Sequence, residues 1–349
     1  MEMNDLLHAA VDSGASDILL ATGAPPMFRI SGDLQPANLE AFTAPALETL
    51  CKQVLTSQQV EQLEQEQDID FSIAVPHLGR FRFNVHLQRS SYAAAIRFIA
   101  SDVPRLADLG LPPVIEELTR LKNGLVLVTG QSGSGKTTTL AAMIEHINQR
   151  DPKHIITLED PIEYQYAHGR CLIEQREIGH DCPSFSSGLK HVLRQDPDVI
   201  LVGELRDLET IRTAMQAAET GHLVLATLHS SSAAGTTDRL IEVFPAGEQQ
   251  QVRSHLAESL RAVITQRLLP DASGQGRVAA QEILVATRAV QTSIREGNSH
   301  LISGMISTGR KSGMQTMEQS LKELILNGRI DLNAADEHLQ ELDISFATV

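Results

Sequence analysis

The chain of 349 residues is long enough for two domains with separate cores, and 42% hydrophobic with 21% charged residues is the composition of a folded globular protein. A formal charge of −15 argues against a general duplex-DNA binder, which carries a basic face. Apolar runs end after a handful of residues, far short of the ~20 that cross a bilayer, and Met1 to Ala15 lacks a basic leader with an apolar centre, so a soluble cytoplasmic protein is expected.

Residues 1–100 predict a small α+β domain. Asp5 to Ser13 carries apolar residues at helical spacing, Asp17 to Ala21 reads as a strand, and Ala24-Pro25-Pro26 marks a turn before Met27 to Ile30. Ala44 to Leu63 holds two helical stretches, and the Gln/Glu-rich Gln58 to Gln67 reads as a solvated helix face. Phe81, Phe83, Val85 and Leu87 then alternate with Arg82, Asn84 and His86, the period of a half-buried strand, and Ala93 to Ile99 supplies another. A sheet with helices on one side is expected. Ser101 to Pro113, rich in Pro, Asp and Gly, separates this alternation from the continuous apolar strands beyond it, giving a linker over 101–118 and a second domain over 119–349.

The second domain opens on Asn123 to Ile147, an apolar strand, a glycine-rich turn and a helix. Gly130, Gly135, Lys136 and Thr137 fit the GxxxxGK[ST] spacing in the context that the motif requires. Glycines at 130, 133 and 135 let the backbone approach a ligand, so that the N–H groups of Gln131, Ser132, Ser134 and their neighbours can face phosphate oxygens. The helix from Thr137 and Thr138 aims its positive end the same way. Lys136 reaches the β and γ phosphates, and the Thr137 hydroxyl is placed to ligate Mg²⁺, so ATP with Mg²⁺ is the expected ligand pair.

Three further apolar runs, Ile155 to Leu158, Val199 to Val202 and Leu223 to Thr227, are spaced for crossover helices and predict a mostly parallel sheet covered on both faces. Ligands collect at the carboxyl ends of such strands. The first run leads into Glu159, a candidate nucleotide contact, and Glu163, the second into Gly203 and Glu204, and the third into Leu228 and His229. Glu163 and Glu204 are the candidates for water activation and Mg²⁺ binding, with their division of labour open, and Gly203 stands where many phosphate-loop enzymes carry an aspartate. His229 is a candidate γ-phosphate sensor, with a strand-end histidine satisfied by neighbours as the lesser alternative, and His222 is a candidate ligand for which the two readings are evenly balanced. Asp198 precedes its strand and reads as structural. Gln249 to Leu269 shows helical spacing through Val252, Leu256, Leu260, Val263 and Ile264; Ala279 to Val285 reads as a late strand, and Thr287 to Arg295 and Met314 to Leu326 as helices. Cys51, Cys171 and Cys182 have no CxxC spacing, which fits a reducing compartment and gives no zinc ribbon.

GQSGSGKTTTLAAM, ITLEDPIEY at Ile156 to Tyr164, DPDVILVGELRDLETI at Asp196 to Ile211 and AAETGHLVLATLHSSSA at Ala217 to Ala233 resemble, in order and spacing, the Walker A, Asp box, Walker B and His box of the secretion ATPases (GspE/PilT family). The chain is most similar to the PilT-type retraction ATPases of twitching motility, from GASDILLATGAPPMFRI at Gly14 to Ile30 through IREGNSHLISGMISTGRKSGMQTMEQSL at Ile294 to Leu321. The resemblance implies an α/β fold with an N-terminal PAS-like domain and a C-terminal RecA-like domain. It implies a homo-hexameric ATPase at the cytoplasmic face of the inner membrane, held there only by partners: a platform protein of a type IV pilus machine and a second retraction ATPase, with no nucleic acid. It also implies that Arg80, Arg82 and Arg97 help close the nucleotide site, although from the residues alone each reads more readily as a solvated or structural arginine than as a catalytic one. Two segments depart from the family pattern. Leu19 replaces a His of its early SDLHL segment, and its AIRNL motif reads Ala289, Val290, Gln291, Thr292 and Ser293. A motor for pilus extension, type II secretion or DNA uptake is the alternative of the same chemistry, and a nucleotide-binding scaffold without turnover is the alternative of another class.

Overall fold

Alternation of Phe81, Phe83 and Val85 with polar residues puts one face of a strand out of water, and something apolar must cover it. In the computed structural model, which describes residues 2–331 apart from 31–32, 77, 100–102 and 274–275, the cover is helical. The chain divides into two compact units, Met1–Asp102 with Glu163–Gln165, and Val103–Ile162 with Tyr166–Val349. The start of the predicted linker, 101–102, and the chain beyond 331 lie outside the described residues.

The first unit runs α1 (Met3–Asp12), β1 (Ala15–Ala21), β2 (Met27–Ile30), β3 (Asp33–Pro36), α2 (Ala44–Lys52), α3 (Ser57–Glu66), β4 (Asp68–Val75), β5 (Gly79–Gln88) and β6 (Ser91–Ile99). Its antiparallel sheet has the order β3-β2-β1-β6-β5-β4. Leu6 and Leu7 of α1, Leu47 and Leu50 of α2 and Leu63 of α3 bury together with Ile18, Phe71, Phe81, Phe83 and Ile96, so the helices share one face of the sheet. The rings of Phe71 and Phe83 stack at 5.1 Å. β3 and β4 were not expected from sequence. In β4 the apolar Ile69 and Phe71 alternate with Asp68 and Asp70, residues that disfavour strands. Here their carboxylates accept hydrogen bonds across the strand pair from Asn84 at 2.6 Å and Arg82 at 3.4 Å.

The second unit contains α4 (Pro113–Leu118), β7 (Gly124–Thr129), α5 (Lys136–Arg150), β8 (His154–Glu159), β9 (Leu172–Glu177), α6 (Phe185–Val192), β10 (Val199–Val202), α7 (Leu208–Glu219) and β11 (Leu223–Leu228). It continues through α8 (Ala233–Glu242), α9 (Gln249–Ser259), β12 (Leu260–Pro270), β13 (Arg277–Val285), α10 (Arg288–Glu296), α11 (Ile302–Thr308) and α12 (Met317–Leu326). The sheet order is β13-β12-β7-β11-β10-β8-β9, parallel from β12 to β9 with β13 antiparallel at the edge, which is a RecA-like arrangement. One face packs on α4 and α5 through Ile115, Leu118, Leu140 and Ile144, the other on α6 to α10 through Leu189, Ile211, Leu240, Leu256 and Val290. Two buried faces explain the unbroken apolar runs of β7, β10 and β11. The mixed α/β class, with an antiparallel first sheet and a parallel second one, agrees with expectation.

The helix expected over Gln249 to Leu269 is corrected: α9 ends at Ser259 and the chain enters β12 at once. Val263 and Ile264 satisfy helical spacing with Leu256 and Leu260, but an apolar run buried on both sides satisfies any period. What decides is tertiary: β12 fills the edge of β7 on one side and pairs with β13 on the other.

Half-buried Glu282 of β13 accepts the N–H of Ala233 at the start of α8, at 2.7 Å, and that of Met317 at the start of α12. Burial, the largest influence, pushes its carboxyl above the ordinary carboxylate range against the pull of both N–H groups and of Arg267. A folded-state value above the unfolded one makes this proton part of the fold. The stability it contributes is full below the ordinary value of ~4.3 and is lost as pH rises through the raised value. Glu282→Gln is expected to flatten that loss and to raise the Tm at neutral pH. Thermal unfolding across roughly pH 4 to 8 reads it; a variant profile parallel to that of the parent would contradict the assignment.

Candidate functional site

β7 ends at Thr129, and Gly130 turns the chain with φ 143, a conformation that suits glycine. A Cβ there would meet the Gln266 carbonyl oxygen at 2.4 Å. Gly133 and Gly135 follow with φ 77 and 84, and Gly135 is the N-cap of α5, so no side chain caps that helix. Its first-turn N–H groups are left for a ligand. Gln131, Ser132 and Gly133 are exposed at the tip of the loop, Ser134 is buried beneath it, and Thr137 and Thr138 are half-buried on the first turn. Lys136, only 9% exposed, curls back so that Nζ donates to the carbonyls of Gly130 at 3.1 Å and Gln131 at 2.9 Å, closing the loop.

The parallel register brings other strand ends to this rim. β11 lies beside β7 with Leu228 opposite Thr129, so His229 is level with Gly130. β10 is the next strand, about 10 Å from β7 at ~4.8 Å per strand, with Val202 opposite Ala226. Glu204, two residues on, is therefore at the height of the loop. Gly203 N–H donates to the Leu158 carbonyl at 2.7 Å, the Thr227 hydroxyl donates to the Gly203 carbonyl, and Leu205 N–H donates to the Thr227 carbonyl at 2.9 Å, so the backbone on both sides of Glu204 is fastened to β8 and β11. Its carboxylate is held at 2.7 Å by Arg206 Nη2 and at 3.4 Å by His229 Nε2. Glu204 in turn raises the pKa of the Arg206 guanidinium, through the direct hydrogen bond first and its charge second. Glu159 ends β8 as a buried carboxylate whose Oε1 accepts from the Thr157 hydroxyl at 2.6 Å and Gln175 Nε2 at 3.2 Å.

Not every candidate joins this cluster. His222 precedes β11, where Leu223 pairs with Gly124 at the start of β7; that is the opposite rim, about 20 Å away over a six-residue strand. Its Nδ1 lies 3.0 Å from the Ala217 carbonyl and its own carbonyl accepts from Gly124 N–H, so the reading of His222 as a ligand of this loop is corrected to that of a residue closing the α7–β11 turn. Asp198 sits on the same far rim, with Oδ2 accepting from His154 N–H at 2.9 Å. Glu163, exposed, groups with the first unit. Arg80, Arg82 and Arg97 lie on β5 and β6 of that unit. Arg82 and Arg97 are register partners, the former ion-paired with Asp70 and the latter with Asp17 at 2.8 Å.

The residue that sequence reading passed over is Gln266. It lies on β12, 2% exposed, and its Nε2 donates to the Ser134 carbonyl at 2.7 Å while Oε1 accepts from the Thr139 hydroxyl at 2.9 Å and from Gln281 Nε2 at 3.2 Å. Beside it the hydroxyls of Thr129 and Thr265 meet at 2.8 Å. A buried amide in an apolar strand was the available signal, hidden because the segment read as a helix.

Comparison with known proteins shows the family. The family model described as "Type II/IV secretion system protein" matches residues 2–341. The chain is 45% identical to the type IV pilus retraction ATPase PilT of Pseudomonas aeruginosa, over 97% of this chain and 98% of that one. It is 47% identical to a twitching motility protein of Neisseria gonorrhoeae, over 90% and 84%. A crystal structure of the pilus retraction motor PilT with bound ADP superposes with a TM-score of 0.90 at 44% identity, covering 97% of this chain and 96% of that one.

Gly133 and Gly135 share a positive φ, but only at Gly135 does a Cβ meet a neighbour, Gln266 Nε2 at 2.7 Å; at Gly133 it meets nothing within 4 Å. Gly133→Ala is expected to cost about 1 kcal/mol of stability from its backbone conformation alone, and Gly135→Ala distinctly more. Melting temperatures of the nucleotide-free proteins measure the difference apart from any ligand contact, and equal losses would contradict it.

Proposed function

The chain belongs to the type II/IV secretion system protein family, and from that membership we propose that it is the subunit of a hexameric motor in which ATP hydrolysis drives retraction of a type IV pilus. It is an ATPase of the class to which its PilT relatives belong. The observation that carries the reading is the meeting, on one rim of the second sheet, of a glycine-lined loop closed by Lys136 with the fastened carboxylate of Glu204 and the imidazole of His229.

The residues fit a triphosphate. Gly130 and Gly135 form a cradle that Cβ atoms would fill, and the buried Ser134 Oγ has no hydrogen-bond partner among the described residues. In the proposed mechanism the loop N–H groups from Gln131 to Thr138 bind the phosphates, and Lys136 moves from its two carbonyls to the β and γ oxygens. Thr137 and Glu204 would hold Mg²⁺, which would supply neutralisation of the phosphate charge. Glu204 orients the attacking water and takes its proton. Arg206 and His229 hold that carboxylate in place, and His229 is proposed to sense the γ-phosphate. Glu163 is proposed to share the water and metal work, and Arg80, Arg82 and Arg97 to contribute positive charge toward the phosphates. Glu159 is proposed to support the Asp-box turn rather than to touch nucleotide, given its bonds within β8 and β9.

Assembly as a homo-hexamer under an inner-membrane platform protein, together with a second retraction ATPase, completes the proposal. No helix among the described residues is long and apolar enough to cross a membrane, which fits attachment through such partners. The departures at Leu19 and Ala289 to Ser293 favour one second reading, a motor of the same chemistry coupled to pilus extension, type II secretion or DNA uptake.

The purified protein is expected to release phosphate from ATP in the presence of Mg²⁺, and Lys136→Ala and Glu204→Ala to lose this by about 100-fold or more. Release indistinguishable from background in the parent protein would favour a nucleotide-binding scaffold instead. In cells, deletion is expected to leave surplus surface pili that wild type, but not Lys136→Ala, removes; bare cells would assign the motor to extension.

A further inference from the structure

Gln266 stands behind the phosphate loop on a strand that none of the four family motifs includes, and its bonds are directed at the peptide unit that matters for binding. We infer that Gln266 is a positioning residue of the loop, whose amide sets the direction of the Gly135 N–H and hence the grip on the β-phosphate. This rests on the ATPase reading above.

In a planar trans peptide the carbonyl oxygen of one residue and the N–H of the next point in opposite directions. Gln266 Nε2 holds the Ser134 carbonyl at 2.7 Å, so the Gly135 N–H is turned away from β12, toward the mouth of the loop. The same amide lies 2.7 Å from where a Gly135 Cβ would stand, and the Gln266 carbonyl 2.4 Å from a Gly130 Cβ, so one residue backs both ends of the loop. Its other end is fixed as well. Oε1 accepts from the Thr139 hydroxyl on the first turn of α5 and from Gln281 Nε2 on β13. Gln281 is itself held, since its N–H donates to Ser320 Oγ of α12 at 3.0 Å and its carbonyl accepts from Gln315 Nε2 at 2.9 Å. With Oε1 occupied by two donors, the amide cannot turn over without burying unsatisfied groups, which keeps Nε2 aimed at Ser134.

A misdirected Gly135 N–H weakens ligands that carry a β-phosphate and leaves those without one alone. ADP and AMP therefore separate positioning from general damage. In competition against a fluorescent ADP analogue, Gln266→Met and Gln266→Glu are expected to weaken ADP about tenfold, the worth of roughly one buried hydrogen bond, while AMP changes by less than about twofold. The KM for ATP is expected to rise in step with the ADP dissociation constant. Gln281→Met leaves the donor to Ser134 in place and should lose less than Gln266→Met. Thr139→Val, a milder change on the other side of the amide, covers the case in which Gln266 variants fail to fold, and should weaken ADP selectively by about two- to threefold. ADP and AMP weakening together, or an unchanged ratio in a folded Thr139→Val or Gln266→Met protein, would overturn the inference. Absence of phosphate release in the parent protein would instead sink the ATPase reading, since the ADP to AMP ratio is a binding measurement that does not depend on turnover.

Discussion

A loop that binds phosphate with its own backbone must keep N–H groups unpaired on one side, and it can hold that shape only if its other side is fully satisfied. The second unit is arranged around this asymmetry. Inside the loop Lys136 ties down two carbonyls; outside it Gln266 ties down a third, and the Thr129–Thr265 pair locks β7 to the strand from which Gln266 projects. The glycines then have two separate reasons to be where they are. Gly133 answers only to its φ angle, whereas Gly130 and Gly135 answer also to the closeness of β12.

Parallel strands do the rest by register. Because β7, β11 and β10 run the same way and in step, the residues just past their last buried positions arrive on one rim, and Glu204 and His229 reach the loop by that rule alone. The rule also removes His222, which lies one strand length from His229 in a segment only eight residues long. Sequence proximity within the His box thus disguises a separation of about 20 Å at ~3.3 Å per residue. The fastening of Gly203 and Leu205 to both neighbouring strands gives the carboxylate between them a fixed base, so its orientation is left to Arg206 and His229.

What was legible in the sequence is what local chemistry decides. The loop is written in glycine spacing, and β7, β10 and β11 in apolar runs that only a doubly covered sheet tolerates. The half-buried strand β5 shows its alternation plainly. Legibility fails where partners decide. β4 was hidden by acids whose compensation lies on β5, β12 by a run of Leu, Val and Ile that fits a helix as well as a strand, and Gln266 by a role that exists only once β12 stands beside the loop. A buried amide in such a run looks like a flaw until the carbonyl it satisfies is known.

The same strand carries a consequence for how chemistry could be turned into work. α9 runs into β12 without an intervening loop, and α10 packs on α9, with Val290 and Ile294 in the same core as Val252, Leu256 and Leu260. The segment that departs from the family pattern, Ala289 to Ser293, lies on α10, where Val290 and Ser293 are buried and Ala289 and Thr292 are exposed. Divergence there changes the exposed Thr292 and the half-buried Gln291, and also one inward position, where buried Ser293 donates to the Asn298 carbonyl at 2.8 Å, while Val290 and Ile294 keep the contact with α9 apolar. Contiguity of this kind is not yet coupling, which requires an element with two arrangements that both ends bias. What the packing does show is that the side that grips phosphate and the α9–α10 pair meet at one strand: Gln266 of β12 holds the loop, while Leu260 and Val263 of the same strand sit in the core with Val290 and Ile294.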